Sequence, residues 1–377
     1  MGRRVLASWW AGESTEMAER TQPRTQDSVL SAAEVRAAAH ACGFALVGLA
    51  RAAPLDPRPL LDWLAQGYAA ELSAMRRRID ERLDPAAVVP GARTVLVLGI
   101  PYGAGEASAA PVPTSIARYA RGRDYHYAHR DRMRKLRGLL RGLAPALRTY
   151  ACVDSGAAME KAWAERAGIG FIGKNGLVVS RQHGSWFTLS LMVLDRSVDA
   201  HDAPHPRQCG ECRKCLDACP AEAFPSPGVV DARRCLSYHT VENHGDVPPE
   251  ARLALGACVF GCDVCQEVCP FNQGTLPPGD PRQAARPISR LAAAEIAALT
   301  EAQFDELAAG MPLRRIGYHG LRRNACLSLG ATRASNHLEL LERLVDDHEP
   351  RVAEAARWAV QRIEPSGKPT GQRARER

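Results

Sequence analysis

Cys209-Gly-Glu-Cys212-Arg-Lys-Cys215-Leu-Asp-Ala-Cys219-Pro220 opens a short region that closes with Cys258-Val-Phe-Gly-Cys262-Asp-Val-Cys265-Gln-Glu-Val-Cys269-Pro270. The first run reads C-x2-C-x2-C-x3-C-P, the pattern of bacterial two-cluster ferredoxins. Three thiolates spaced by two residues wrap one cubane, and the fourth, one turn further on, reaches the other cluster. Cys209, Cys212 and Cys215 are therefore expected to share a [4Fe–4S] cluster with Cys269. Cys219 is expected to join Cys262 and Cys265 on a second. Spacing leaves the eighth ligand open between Cys235 and Cys258. Pro220 and Pro270 end each run by removing a backbone donor. Zinc knuckles use separate Cys-x2-Cys pairs, which a three-cysteine run does not form. Disulfides need an oxidising compartment, and no export signal is recognisable.

Working outward, the 377 residues suggest about two or three domains, and 24% charged with 46% apolar residues describe an ordinary globular chain. No apolar run is long enough to span a membrane, and twelve cysteines fit a reducing cytoplasm. The net charge of +7 favours a polyanionic partner such as nucleic acid, although solvated arginine faces would produce the same balance. Residues 1–26 lack periodicity and read as a disordered extension, with Met17 an alternative start.

Ser31-Ala-Ala-Glu34 is a capping box opening a helix. Phe44–Leu49 and Thr94–Ile100 read as buried strands, the latter central. Residues 102–115 form a Gly- and Pro-rich loop. Ile116–His126 concentrates Arg, Tyr, Asp124 and His126, or is merely a solvated loop. A helix over Arg130–Leu143 sets apolar residues against a basic row. Tyr150–Asp154 is a strand ending in a carboxylate, followed by a helix over Ala157–Ala167. That is where open α/β sheets place ligands, though an aspartate before a helix is more commonly a cap. As a proton donor, Asp154 would need its pKa raised from ~3.9 by desolvation. Gly168-Ile-Gly-Phe-Ile-Gly resembles a dinucleotide fingerprint but follows a helix. Its glycines are expected to let backbone approach a ligand. Strands near Leu177–Ser180 and Trp186–Leu194 follow. From Ile288 to Ile363 the apolar spacing is helical, in short repeats, and residues 364–377 are a polar, basic tail expected to be disordered.

The residues alone describe an iron–sulfur redox enzyme. Several stretches together resemble the epoxyqueuosine reductase family: Arg118–His126, Val153-Asp-Ser-Gly156, Glu160–Asn175, Cys209–Pro220, Cys235-Leu-Ser-Tyr-His-Thr-Val-Glu242, Phe260–Pro270 and Arg323-Asn-Ala. The similarity runs from about residue 30 to 363. It implies an oxidoreductase that uses cobalamin and two [4Fe–4S] clusters to reduce epoxyqueuosine at the tRNA wobble position. It further implies Cys235 as the eighth cluster ligand, Asp154 as proton donor and His126 beside it. Arg77, Asp124, Tyr125, Lys161, Lys174, Asn175, Ser237 and Tyr238 are implied for the cobalamin and substrate pocket. Near Arg77 this chain departs from the family, reading Gly67-Tyr-Ala-Ala-Glu-Leu72.

The expected fold is α+β or α/β: an N-terminal α/β cobalamin-binding domain over 27–200, a ferredoxin-like two-cluster module over 201–275, and a helical, HEAT-like cap over 288–363. The expected protein is a cytoplasmic monomer that receives electrons from a flavodoxin or ferredoxin and does not engage membranes. A reductive dehalogenase-like reductase, an electron carrier, and a nucleic-acid-binding protein with structural clusters are the competing readings. Cobalt content separates the first from the last.

Overall fold

A computed structural model of the chain describes residues 29–102, 115–273 and 279–364. The expectations for residues 1–26, for nearly all of the 102–115 loop and for the tail beyond 364 fall outside these. The strands in chain order are β1 (Leu46–Arg51), β2 (Thr94–Pro101), β3 (Ser115–Ile116), β4 (Thr149–Cys152), β5 (Phe171–Ile172), β6 (Val178–Val179), β7 (Phe187–Leu194) and β8 (Cys258–Phe260).

The main sheet has the order β1-β2-β7-β4, and every pairing in it is antiparallel. This corrects the reasoning from open parallel sheets: Asp154 does not lie at a crossover crevice but just past the end of an edge strand. β2 is buried at every position, because both faces of the sheet are covered. Leu96, Leu98 and Ile100 pack with residues of the helices Ala32–Ala41 and Tyr125–Leu143. Val95 and Val97 pack with Trp163 and Ala164 of the helix Glu160–Arg166. A strand buried on both sides loses the alternation of a half-exposed one and reads as a continuous apolar run.

Two helix boundaries differ from expectation. The basic helix begins at Tyr125, because Asp124 caps it by accepting the His126 N–H at 2.9 Å. The helix expected from Ala157 starts at Glu160, since residues 155–158 are held by other groups described below. The Gly168–Gly173 segment leads through β5 into the hairpin with β6, and Gly173 lines the four-cysteine cavity described below. A Cβ at Gly170 would stand 2.3 Å from the Val179 carbonyl oxygen, so this glycine serves strand-to-strand approach.

In the C-terminal region, helices Ala293–Ala297, Glu301–Leu307, Gly317–Ala331, Leu338–Leu344 and Pro350–Ile363 follow the predicted apolar spacing. Their core is shared with Leu236, Val241, Val259 and Phe260 from between the two cysteine runs. The Arg323-Asn324 pair fastens this joint. Asn324 Nδ2 donates to the Thr240 and Val259 carbonyls, both at 2.9 Å. Arg323 donates to the carbonyls of Asn243, Gly245 and His239.

Candidate active site and cluster ligands

Asp124 both caps its helix and binds the next imidazole: His126 Nδ1 lies 2.7 Å from Asp124 Oδ1. The other ring nitrogen, Nε2, lies 3.6 Å from Asp154 Oδ2. Tyr125 donates its hydroxyl to the same Asp154 oxygen at 3.1 Å, and its ring stacks on His126 at 4.3 Å between centroids. The helix start thus sets two donors against one carboxylate.

Asp154 adopts φ +54°, a left-handed conformation that costs a non-glycine residue on the order of 1 kcal/mol. Its loop is held from several sides. Arg82 is buried and donates to the carbonyls of Gly156 (3.3 Å), Ala158 (3.4 Å) and Ala74 (2.9 Å). The Ala157 N–H donates to the Tyr150 hydroxyl at 3.1 Å. The Asp154 side chain is 55% exposed although protein surrounds it densely. Lys161 combines solvent access with the same enclosure. Both therefore face an open internal cleft.

The charges settle who holds the proton. Burial opposes charge on His126, but the hydrogen bond to Asp124 and the negative charges of Asp124 and Asp154 outweigh it and raise the imidazole to about 9. Burial would likewise raise Asp154. His126, 3.6 Å away, then the charge of Arg315 and the hydrogen bond from Tyr125, instead hold its carboxyl below the usual range. The raised pKa that Asp154 would need as a donor on its own is absent here: at neutral pH the proton sits on His126 and Asp154 is its ionised partner. Nearby, Glu160 is pushed up to about 8, first by burial and then by the charge of Asp154, with the Cys152 thiol 4.0 Å from its Oε1. Arg82, Glu160 and Arg315 escaped the sequence reading. Glu160 lay inside a quoted motif, and the other two carry no local signal.

Cys209, Cys212, Cys215 and Cys269 line one cavity of about 200 Å³ together with Lys174, Asn175 and Phe271. A single zinc ion needs its ligands about 2.3 Å from one point, whereas these sulfurs border a space sized for a polynuclear cluster. Among the described residues, no three Cys, His, Asp or Glu side chains converge on a single-ion site. Burial raises Cys215, and the charges of Cys209, Cys269 and Cys212 add to it. Burial also raises Cys269, so Cys215 and Cys269 favour the neutral thiol unless a cationic core lets them ionise.

A second set gathers about Cys265, whose thiol burial pushes up to about 12, with contributions from Cys235, from Cys215 of the first set and from Cys219. Cys262 is raised by a hydrogen bond with Cys258, by burial and by the charge of Cys265. Cys235 precedes the helix Leu236–Val241. Burial raises its pKa while the backbone N–H groups of Tyr238 and Ser237 lower it. The short helices Lys214–Asp217 and Val264–Glu267, one in each cysteine run, pack together.

The remaining predicted pocket residues divide. Lys161 donates to the Gly176 carbonyl at 3.0 Å and lies within Coulombic reach of Cys265, Cys235 and Asp154, between the second cysteine set and the cleft. The Tyr238 hydroxyl accepts the Glu71 N–H at 3.3 Å, and Ser237 stays at the Cys235 helix start. Lys174 donates to the Gly210 carbonyl at 2.6 Å and Asn175 Nδ2 to the Cys265 carbonyl at 3.4 Å. The structure places these two at the four-cysteine cavity rather than beside Asp154. Arg77 is exposed, and its carbonyl accepts from Arg82 Nε at 3.2 Å.

Comparison with known proteins bears on both halves of this arrangement. Residues 208–272 match the 4Fe-4S double cluster binding domain, and residues 82–155 match the epoxyqueuosine reductase QueG domain. An epoxyqueuosine reductase of Gloeobacter violaceus is 40% identical over 311 residues, covering 80% of this chain and 97% of its own. The chain belongs to the epoxyqueuosine reductase family. Among solved family structures, one holds an epoxyqueuosine-modified tRNA-Tyr stem loop. It is similar at TM-score 0.81 and 29% identity, over 88% of this chain and 89% of its own. The Bacillus subtilis reductase, solved with its aspartate catalytic loop swung out of the active site, gives TM-score 0.80 and 29% identity over 88% and 90%.

Proposed function

We propose that this protein reduces epoxyqueuosine at the wobble position of tRNA to queuosine, with cobalamin and two [4Fe–4S] clusters as cofactors. The observation that carries the reading is the Asp124–His126–Asp154 chain, with Tyr125 on the same carboxylate. It opens on a cleft that also contains Lys161, next to the second cysteine set. In the reaction the epoxide oxygen leaves as water, two electrons and two protons enter, and a ring alkene forms.

Cys209, Cys212, Cys215 and Cys269 would hold one cluster, which the cavity they line supports. Cys219, Cys235, Cys262 and Cys265 would hold the other, supported by the thiols around Cys265 and the two N–H groups at Cys235. Cobalamin would bind along the cleft that Asp154 and Lys161 face, with Lys161, Ser237 and Tyr238 as holding residues. When bound, the clusters would relay single electrons and cobalamin would supply the reducing centre for carbon–oxygen cleavage.

The chain's own residues manage the proton. Asp154 faces the departing oxygen and passes to it the proton stored on His126. Asp124 keeps that imidazole charged and oriented, and Tyr125 fixes the Asp154 carboxylate. The cleft floor, the cysteine module and the helical cap form the proposed layout. Twelve free thiols support a reducing cytoplasm. No described helix is long and apolar enough to cross a membrane. The protein is proposed to act as a monomer on tRNA, with a flavodoxin or ferredoxin as donor.

The deciding experiment incubates anaerobically reconstituted protein with epoxyqueuosine-containing tRNA, cobalamin and a strong reductant, then weighs the released nucleosides. Cobalamin-dependent loss of one oxygen is expected. An unchanged nucleoside, with both clusters intact and cobalamin bound, would overturn the assignment.

A further inference from the structure

Above Asp154 the wall of the cleft comes from the far end of the chain. The Asp124 N–H donates to the Gly310 carbonyl at 2.8 Å, fixing the 310–315 segment against the catalytic helix start. That segment continues into the short helix Pro312–Arg315. Arg315 Nε pairs with Glu242 Oε1 at 2.5 Å; Glu242 caps the end of the Cys235 helix. The guanidinium is therefore anchored at one nitrogen, and among the described residues its Nη atoms make no hydrogen bond. The side chain is 47% exposed and lies within Coulombic reach of Asp154 and Tyr125.

Three groups crowd negative charge here: Asp124, Asp154 and Glu242. A polynucleotide entering the cleft adds a phosphate on each side of the reacting nucleotide. Without a cation at the rim, those phosphates would meet the ionised Asp154. A guanidinium tied by Nε keeps a planar pair of donors whose geometry suits two phosphate oxygens. Its partial exposure leaves those donors accessible.

Resting on the proposed function, we infer that Arg315 binds a backbone phosphate flanking the modified nucleotide and so positions the wobble residue over Asp154. Arg315 is a positioning residue, separate from the proton chain. Glu242 sets its reach by holding Nε.

The test is a cycle on binding, using reconstituted full-length protein and anticodon stem-loops carrying epoxyqueuosine. One stem-loop is native, and the other has neutral methylphosphonate linkages flanking the modified nucleotide. Arg315→Ala is expected to weaken binding of the native RNA about tenfold, and the neutral linkages should weaken wild-type binding by a similar factor. Combined, the two changes should cost no more than either alone, because both remove one contact. The salt dependence of native-RNA binding should fall by about one in log–log slope in the variant. Arg315→Lys keeps the charge without the fork. It should bind with intermediate affinity and still respond to the neutral linkages, which preserves the test if the alanine variant folds poorly.

Losses that multiply, or Arg315 variants that bind both RNAs as wild type does, would overturn the inference. Wild-type protein that prefers neither modified stem-loop over an unrelated RNA would instead overturn the proposed function.

Discussion

Replacing Asp124 with Asn isolates the charge that keeps His126 protonated. Asn retains a side-chain oxygen for the helix cap, so the His126 N–H keeps an acceptor. What is lost is the negative charge 2.7 Å from Nδ1, whose hydrogen bond is the largest influence raising the imidazole. The rise from 6.5 to about 9 corresponds to about 3 kcal/mol in favour of the imidazolium. Asp124 supplies the larger share and Asp154 the rest.

In the wild type, this stabilisation is fully present below pH 6.5 and is lost as pH rises through about 9. The rate should follow the same group, with an alkaline limb near 9 in single-turnover reduction of tRNA. In Asp124→Asn the limb should move toward neutrality, by about one to two pH units, and the loss of stability should shift in parallel. The assay is single-turnover conversion across pH 6 to 10, with cluster content checked at each pH and imidazole titration followed by NMR. An alkaline limb that stays in place would refute His126 as the proton store. A limb that moves while the imidazole titration does not would refute the link between them.

Asp154→Asn should leave both clusters and tRNA binding intact while lowering turnover by about 10² to 10⁴; near-wild-type turnover would remove Asp154 from the proton path. Iron analysis separates the candidate eighth ligands: Cys235→Ser should lose about half of the iron, and Cys258→Ser should keep about eight irons per chain. The reverse pattern would exchange their roles. Asn324→Ala leaves the carbonyls of Thr240 and Val259 without their donor in a buried joint, at a cost of about 1 to 3 kcal/mol. Thermal unfolding should report a clearly lowered midpoint, and an unchanged one would show that water replaces the amide.

Much of the cluster module is legible in the chain, because its ligands lie a few residues apart and a short loop nearly determines which thiols can share a centre. The four thiols predicted for the first cluster line one cavity. The helical C-terminal region is legible for a similar reason, since apolar spacing maps directly onto one face. Asp154 and His126 were legible only through family motifs. Their local signals, an aspartate before a helix and a histidine in a charged stretch, belong equally to caps and solvated turns. The aspartate's charge state was not legible, because burial points one way and a neighbour distant along the chain points the other. Lys174 and Asn175 belonged to the right motif, but the hairpin carries them to the cysteine cavity.

The sequence by itself indicated the four strands of the main sheet, most of the amphipathic helices and the spacing of the cysteine runs, all governed by neighbours close along the chain. Only the tertiary structure decided the antiparallel order of the sheet, the shared core between the cysteine region and the C-terminal helices, and the meeting of His126, Asp154 and Arg315. Those depend on which distant segments pack together. The energy of a charge depends on every group brought near it, so proton placement becomes definite only when the chain is folded.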